Sequence, residues 1–130
     1  MTLRRPRLTP SVLMWIGLFA APFAWAAQHV TGIELQLARC HDNAPGPVWD
    51  VPIDALTIAV SAAAAAVAVV GGLAALAAWR SARDADDDDA PPAGRIHFLA
   101  IVGITISPLF LAIIVMSGLG SVFLPTCVQS

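Results

Sequence analysis

Residues 55–79 read ALTIAVSAAAAAVAVVGGLAALAAW, 25 positions without one charged side chain. A helix rises about 1.5 Å per residue and needs about 20 residues to cross roughly 30 Å of hydrocarbon, so this stretch can span a bilayer. Two more apolar stretches flank it. From Ser11 to about Leu37 the chain is uncharged until Glu34, with Gln28, His29 and Thr31 as its notable polar side chains. The third stretch starts near Ile96 and stays uncharged through Ser130. A helix over all of it would be ~50 Å long, so Gly118, Gly120 and Pro125 are expected to mark its unwinding at the far membrane face. The predicted architecture is an all-α integral membrane bundle of three transmembrane helices, at about 11–37, 55–79 and 96–120, in one domain over 1–130.

Composition supports this reading. Of the 130 residues, 58% are hydrophobic and 12% charged, more apolar surface than a water-soluble domain of this size could hide, which excludes a soluble enzyme. Seven basic against nine acidic side chains leave a net charge of −2, so no broad cationic face for nucleic acid is available. All seven basic residues are Arg, Lys and Tyr are absent and Ala is abundant, which points to a GC-rich bacterial source. The expected location is the bacterial inner (cytoplasmic) membrane, as a multi-pass protein.

Arginine placement sets the expected orientation, because basic residues close to span ends are retained in the cytoplasm. Arg4, Arg5 and Arg7 precede the first span, and Arg80, Arg83 and Arg95 lie between the second and third, while Arg39 alone occupies the other side. The amino terminus is therefore expected in the cytoplasm and the carboxyl terminus outside. Trp15 and Trp79 then fall at the cytoplasmic interface and Trp49 at the outer one, where indole rings prefer to lie. A rival reading treats Arg4-Arg5-Pro6-Arg7, the apolar run and Ala24-Trp25-Ala26 as a secretory signal cleaved after Ala26. Against it, Trp15, Phe19, Phe23, Ala26, Val30 and Ile33 continue a three-or-four-residue helical spacing past that point.

Within the second span Ala64, Ala68 and Gly72 lie four apart, a spacing of small residues that permits close helix approach in lipid. Pro22 and Pro108 fall near mid-bilayer in their helices and are expected to kink them, freeing the carbonyls of Leu18 and Ile104, with Thr105 and Ser107 at hand as donors. Paired kinks at one depth could enclose a small cavity. Residues 81–94 carry Asp84, Asp86, Asp87, Asp88, Asp89 and Pro91-Pro92 and are read as a hydrated cytoplasmic linker; they lack the spaced ligands and glycine of a calcium loop.

Cys40 follows the first span and Cys127 the third, so the expected orientation puts both on the oxidising side, where a disulfide is the default. The alternative is a soft-metal site of Cys40, His41, Met116 and Cys127, which has suitable ligand types but no compact spacing. Haem attachment through Cys-x-x-Cys-His is absent, and no cofactor is expected. Gln28, His29 and Gln36 are the intramembrane polar candidates: His29, Gly32 and Gln36 share one side of the first helix, and an ionisable group in lipid is expected to face protein. Asp50 and Asp54 flank the start of the second helix, where negative charge suits the helix N-terminus. No nucleophile with its base, no phosphate-binding glycine loop and no carboxylate pair is evident, so no catalytic residue is assigned.

Trp15, Ala21-Pro22 and Ala24-Trp25 in the first span, Cys40 after it, Ser107-Pro108-Leu109-Phe110 in the third and Pro125-Thr126-Cys127 at the end give the chain a further character. In these it resembles a group of small bacterial three-span membrane proteins associated with respiratory haem-copper oxidase gene neighbourhoods. The likeness covers nearly the whole chain, and Cys40 and Cys127 match the group's two cysteines. It implies company with membrane subunits of a terminal oxidase. The function expected is that of a non-enzymatic accessory or assembly component that binds other integral membrane subunits within the lipid bilayer. The alternative is a copper-handling or small-solute conducting protein using His29, His41, Cys40, Cys127 and Met116.

Overall fold

The computed structural model describes residues 9–41, 52–83, 93–124 and 127, with the His41 side chain left aside. Three α-helices occupy nearly all of this: α1 (Pro10–His41), α2 (Ile53–Ala82) and α3 (Ala93–Phe123). Each is long and apolar enough to span a membrane. Trp49, Pro125 and the acidic core of the linker lie outside the described residues.

The helices are longer than their apolar runs. At 30 to 32 residues they measure about 45–48 Å, so their ends project beyond a hydrocarbon layer of roughly 30 Å. Ser81 and Ala82 belong to α2 rather than the linker, and Ala93 and Gly94 to α3. Pro52 precedes α2 with an extended backbone, φ −59° and ψ 134°, and Asp54 and Arg80 place opposite charges at the ends that the helix dipole favours. Helix α1 passes Ala26 without a break.

Gly118 and Gly120 do not end α3, as the sequence suggested. The helix runs through both to Phe123, and the Leu124 N–H still donates to the Gly120 carbonyl at 3.0 Å. Pro125 stands just after it, where a proline restricts the residue before it. Gly118 is instead a contact point: a Cβ there would lie 3.0 Å from the Ser61 Cβ of α2.

The buried positions repeat at alternating steps of three and four. In α1 they are Met14, Gly17, Ala21, Ala24 and Gln28, with Leu35 one heptad further; in α2 Ala64, Ala68, Gly71, Ala75 and Ala78, with Ala74 buried beside Ala75; in α3 Ala100, Gly103, Ser107 and, one heptad on, Ile114, with Gly94 buried outside the rhythm at the start of the helix. This rhythm keeps one seam facing its neighbours along the whole span. The expected row of Ala64, Ala68 and Gly72 divides between two neighbours. A step of four overshoots the helical turn, so a four-by-four row drifts around the helix. Gly71 takes the seam, while Gly72 turns to α3, where a Cβ would meet the Ser107 Cβ at 3.4 Å.

Helix α2 packs more extensively on α1 and on α3 than those two do on each other, which makes it the central helix. The closest approach is at Ala75. A Cβ added at Gly17 would be 2.6 Å from the Ala75 Cβ, and one at Gly103 would be 3.0 Å from it and 3.1 Å from the Gly17 carbonyl oxygen. Large apolar side chains point the other way. Phe19, Phe23, Val30 and Ile33 of α1, Val70 and Leu73 of α2, and Leu109 and Phe123 of α3 are exposed on the bundle surface. Trp15 stacks on Phe19 at 5.5 Å between centroids, and Phe19 leans on Phe23. The stripe that traces helical continuity in the sequence is thus the outward face of α1.

Candidate functional site

Gln28 is the polar centre of the interior. It is 6% exposed, and its Nε2 donates to Ser61 Oγ of α2 at 3.0 Å and to the Ile114 carbonyl oxygen of α3 at 3.1 Å. One side chain therefore ties all three helices. Its Oε1 is buried without a hydrogen-bond partner among the described residues. Gly118 makes this possible, since a Cβ there would stand 3.8 Å from the Gln28 Nε2 and tight against Ser61. Gln28 falls on the seam because it stands four residues after Ala24 and seven after Ala21.

The other two polar candidates, His29 and Gln36, lie on the exposed surface of α1. One step along a helix turns a residue by 100°, so a buried Gln28 sends its neighbour towards the flank. The His29 ring stacks on Trp25 at 5.6 Å and 22°, and Trp25 in turn meets Phe110 of α3 at 5.7 Å. Gln36 lines a small cleft with Leu35, Arg39, Ile53, Thr57 and Ser121.

That cleft marks one end of the bundle, where the chain is fastened in two further ways. Cys40 and Cys127 form a disulfide, with their Cα atoms 5.6 Å apart and a sequence separation of 87. Arg39 Nη1 donates to Asp54 Oδ1 at 2.6 Å, an ion pair between the end of α1 and the start of α2 with side chains 32% and 67% exposed. At such exposure the pair contributes at most about 1 kcal/mol. The ion pair escaped the sequence reading, although the two residues that make it flank the same connection.

With the bridge formed, neither sulfur is a thiolate, the form that binds metal. Met116 is 68% exposed on α3, the His41 side chain lies outside the described residues, and among the described residues no group of three His, Cys, Asp or Glu gathers as a metal site. Pro22 and Pro108 lie inside continuous helices. Pro108 is on the exposed side of α3 and Pro22 is half-buried. Ser107 Oγ donates to the Gly17 carbonyl at 3.5 Å and Thr105 Oγ1 to the Ile101 carbonyl at 2.9 Å, so these hydroxyls serve other carbonyls than Ile104.

Comparison with known proteins returns no matching family model, no matching curated protein and no matching solved structure.

Proposed function

We propose that this chain is a non-enzymatic component of the bacterial inner membrane that binds other integral membrane subunits, as an accessory or assembly factor of a respiratory terminal oxidase. The packing at Ala75 carries the reading. With Gly17 and Gly103 pressed on an alanine, the three helices leave no room between them at this level for a substrate or a conducted solute, which supports recognition on the outer surface. Three helices with large side chains turned outward suit side-by-side association in lipid.

The orientation we propose has the amino terminus in the cytoplasm and the disulfide outside. Its supports are the six-to-one arginine bias across the two sides and the bridge itself, because disulfides persist in oxidising compartments. The oxidase assignment rests on the resemblance of the Trp15, Ala21-Pro22, Ala24-Trp25 and Ser107-Pro108-Leu109-Phe110 motifs.

The test is affinity purification of the tagged chain from native membranes in mild detergent. Stoichiometric recovery of haem-copper oxidase subunits is the expected result, together with reduced oxidase content in membranes lacking the chain. Recovery of the chain without any other membrane subunit would overturn the reading.

A further inference from the structure

Five glycines of this bundle stand against a neighbouring helix, while Gly32 and Gly120 do not, Gly120 at the end of α3 meeting only Leu124 at 3.9 Å. Gly17, Gly71, Gly72, Gly103 and Gly118 each have another helix within 3.4 Å of where a Cβ would stand. Gly32, inside α1, has nothing within 4 Å. Glycine weakens a helix interior relative to alanine, and nothing in the folded chain offsets that here.

Gly32 also has uncommon neighbours. Trp25, His29, Gly32 and Gln36 follow one another at steps of four, three and four, which places them on a single stripe of α1 beside α3, where Trp25 touches Phe110. His29 and Gln36 are exposed and make no hydrogen bond among the described residues. Depth separates the two. The uncharged run of α2 is centred on Val67, at the level where Ala64 and Ala68 pack on Ala21 and Ala24. His29 lies five residues beyond Ala24, about 8 Å along the axis, within a half-layer of roughly 15 Å. Gly32 is near the edge of that layer and Gln36 beyond it. An imidazole facing lipid at the depth of His29 leaves a donor and an acceptor unmet.

We infer that this stripe is the seam of a homodimer, occupied by the same stripe of a second copy. A two-fold axis along the membrane normal brings equal depths together, so Gly32 opposes Gly32, His29 opposes His29 and Gln36 opposes Gln36. Each of these pairs satisfies itself. A neutral imidazole carries one donor and one acceptor, and a carboxamide carries both, so two copies can hydrogen-bond without a third group. Between Trp25 and Gln36 the stripe contains no ionised side chain to repel its copy, since Glu34 lies on another side of the helix, and Arg39, the next step along it, is paired with Asp54. At the centre Gly32 lets the two backbones approach, the role that its own fold does not require of it.

The experiment uses the full chain, purified and reconstituted into phosphatidylcholine vesicles over a range of protein-to-lipid ratios, with dimers counted by single-molecule photobleaching. Wild type is expected to dimerise as its density rises. Gly32→Leu should weaken dimerisation at least tenfold and His29→Leu severalfold. Because open space surrounds a Cβ at Gly32, the Gly32→Leu chain should keep wild-type helicity and its disulfide. Leu73→Trp, on the exposed face of α2, should leave the dimer unchanged. A wild type that stays monomeric at every density overturns the inference, as do dimers indifferent to Gly32→Leu or lost equally with Leu73→Trp. The accessory-subunit reading is decided by co-purification, so it stands or falls separately.

Discussion

The two halves of this bundle are held by different means. Towards the Trp79 end, Gly17, Ala75 and Gly103 meet chiefly through shape, backbone against backbone with the smallest side chains between them and one long hydrogen bond, from Ser107 to the Gly17 carbonyl, beside them. Towards the Cys40 end, specific bonds hold the helices: Gln28 to Ser61 and Ile114, Arg39 to Asp54 and the disulfide. Lipid tails are as apolar as leucine, so burying large apolar groups gives helices little reason to associate there. What remains is close contact or a directed bond, and the chain relies chiefly on one in each half.

If this division is right, adding volume should damage the first half most. Gly17→Val pushes a branched side chain into Ala75 and is expected to cost about 3 kcal/mol or more, measured by reversible unfolding in mixed micelles. A loss below ~1 kcal/mol would show that the helices slide apart at little cost and that shape does not hold this half.

Breaking the bridge should act on the other half. Cys127→Ser should lower stability by ~2–4 kcal/mol, the usual range for a lost disulfide. Amide exchange should rise near Cys40 and Phe123 and remain at its wild-type level around Ala75. Uniformly faster exchange would merge the two halves into one cooperative unit.

A smaller effect is expected at the polar centre. Gln28→Leu removes two hydrogen bonds but also an unpaired buried oxygen, so we expect a loss of about 1 kcal/mol. Its double-mutant cycle with Ser61→Ala should give a coupling near 0.6 kcal/mol. Zero coupling would place the bond to Ser61 outside the forces that join α1 to α2.

Smallest of all should be Gly72→Ala, because a Cβ there reaches Ser107 at ordinary contact distance. We expect a change within ~0.5 kcal/mol, with improved helix propensity offsetting any crowding. The adjacent Gly71→Ala, whose Cβ would stand 2.9 Å from the Ala20 Cβ, should be distinctly worse. Equal effects would erase the distinction between seam and flank.

The number and type of the helices were legible in the sequence because length and absence of charge are one-dimensional properties. Pairing Cys40 with Cys127 was legible too, through their common side of the membrane. Which face of each helix turns inward was not. The Trp15, Phe19 and Phe23 stripe shows a helical period in the sequence, and in a soluble protein such a stripe would mark the core. In lipid the preference for size reverses, so Gln28 rather than His29 is enclosed. Gly118 misled for a related reason: glycine signals a helix end in water, yet between helices in lipid it supplies proximity. The drift from Gly72 to Gly71 follows from helical geometry and could have been computed, had the alternating step been assumed. The bond from Gln28 to the Ile114 carbonyl could not, because a backbone acceptor has no residue identity to betray it.

Ala75 sits where three polypeptide backbones converge, and the side chains around it are already as small as the genetic code permits. Mutation at this crossing runs in a single direction, since Gly17 and Gly103 can only gain atoms. The inside of the molecule is therefore expected to accept less change over generations than those parts of its surface that touch only lipid.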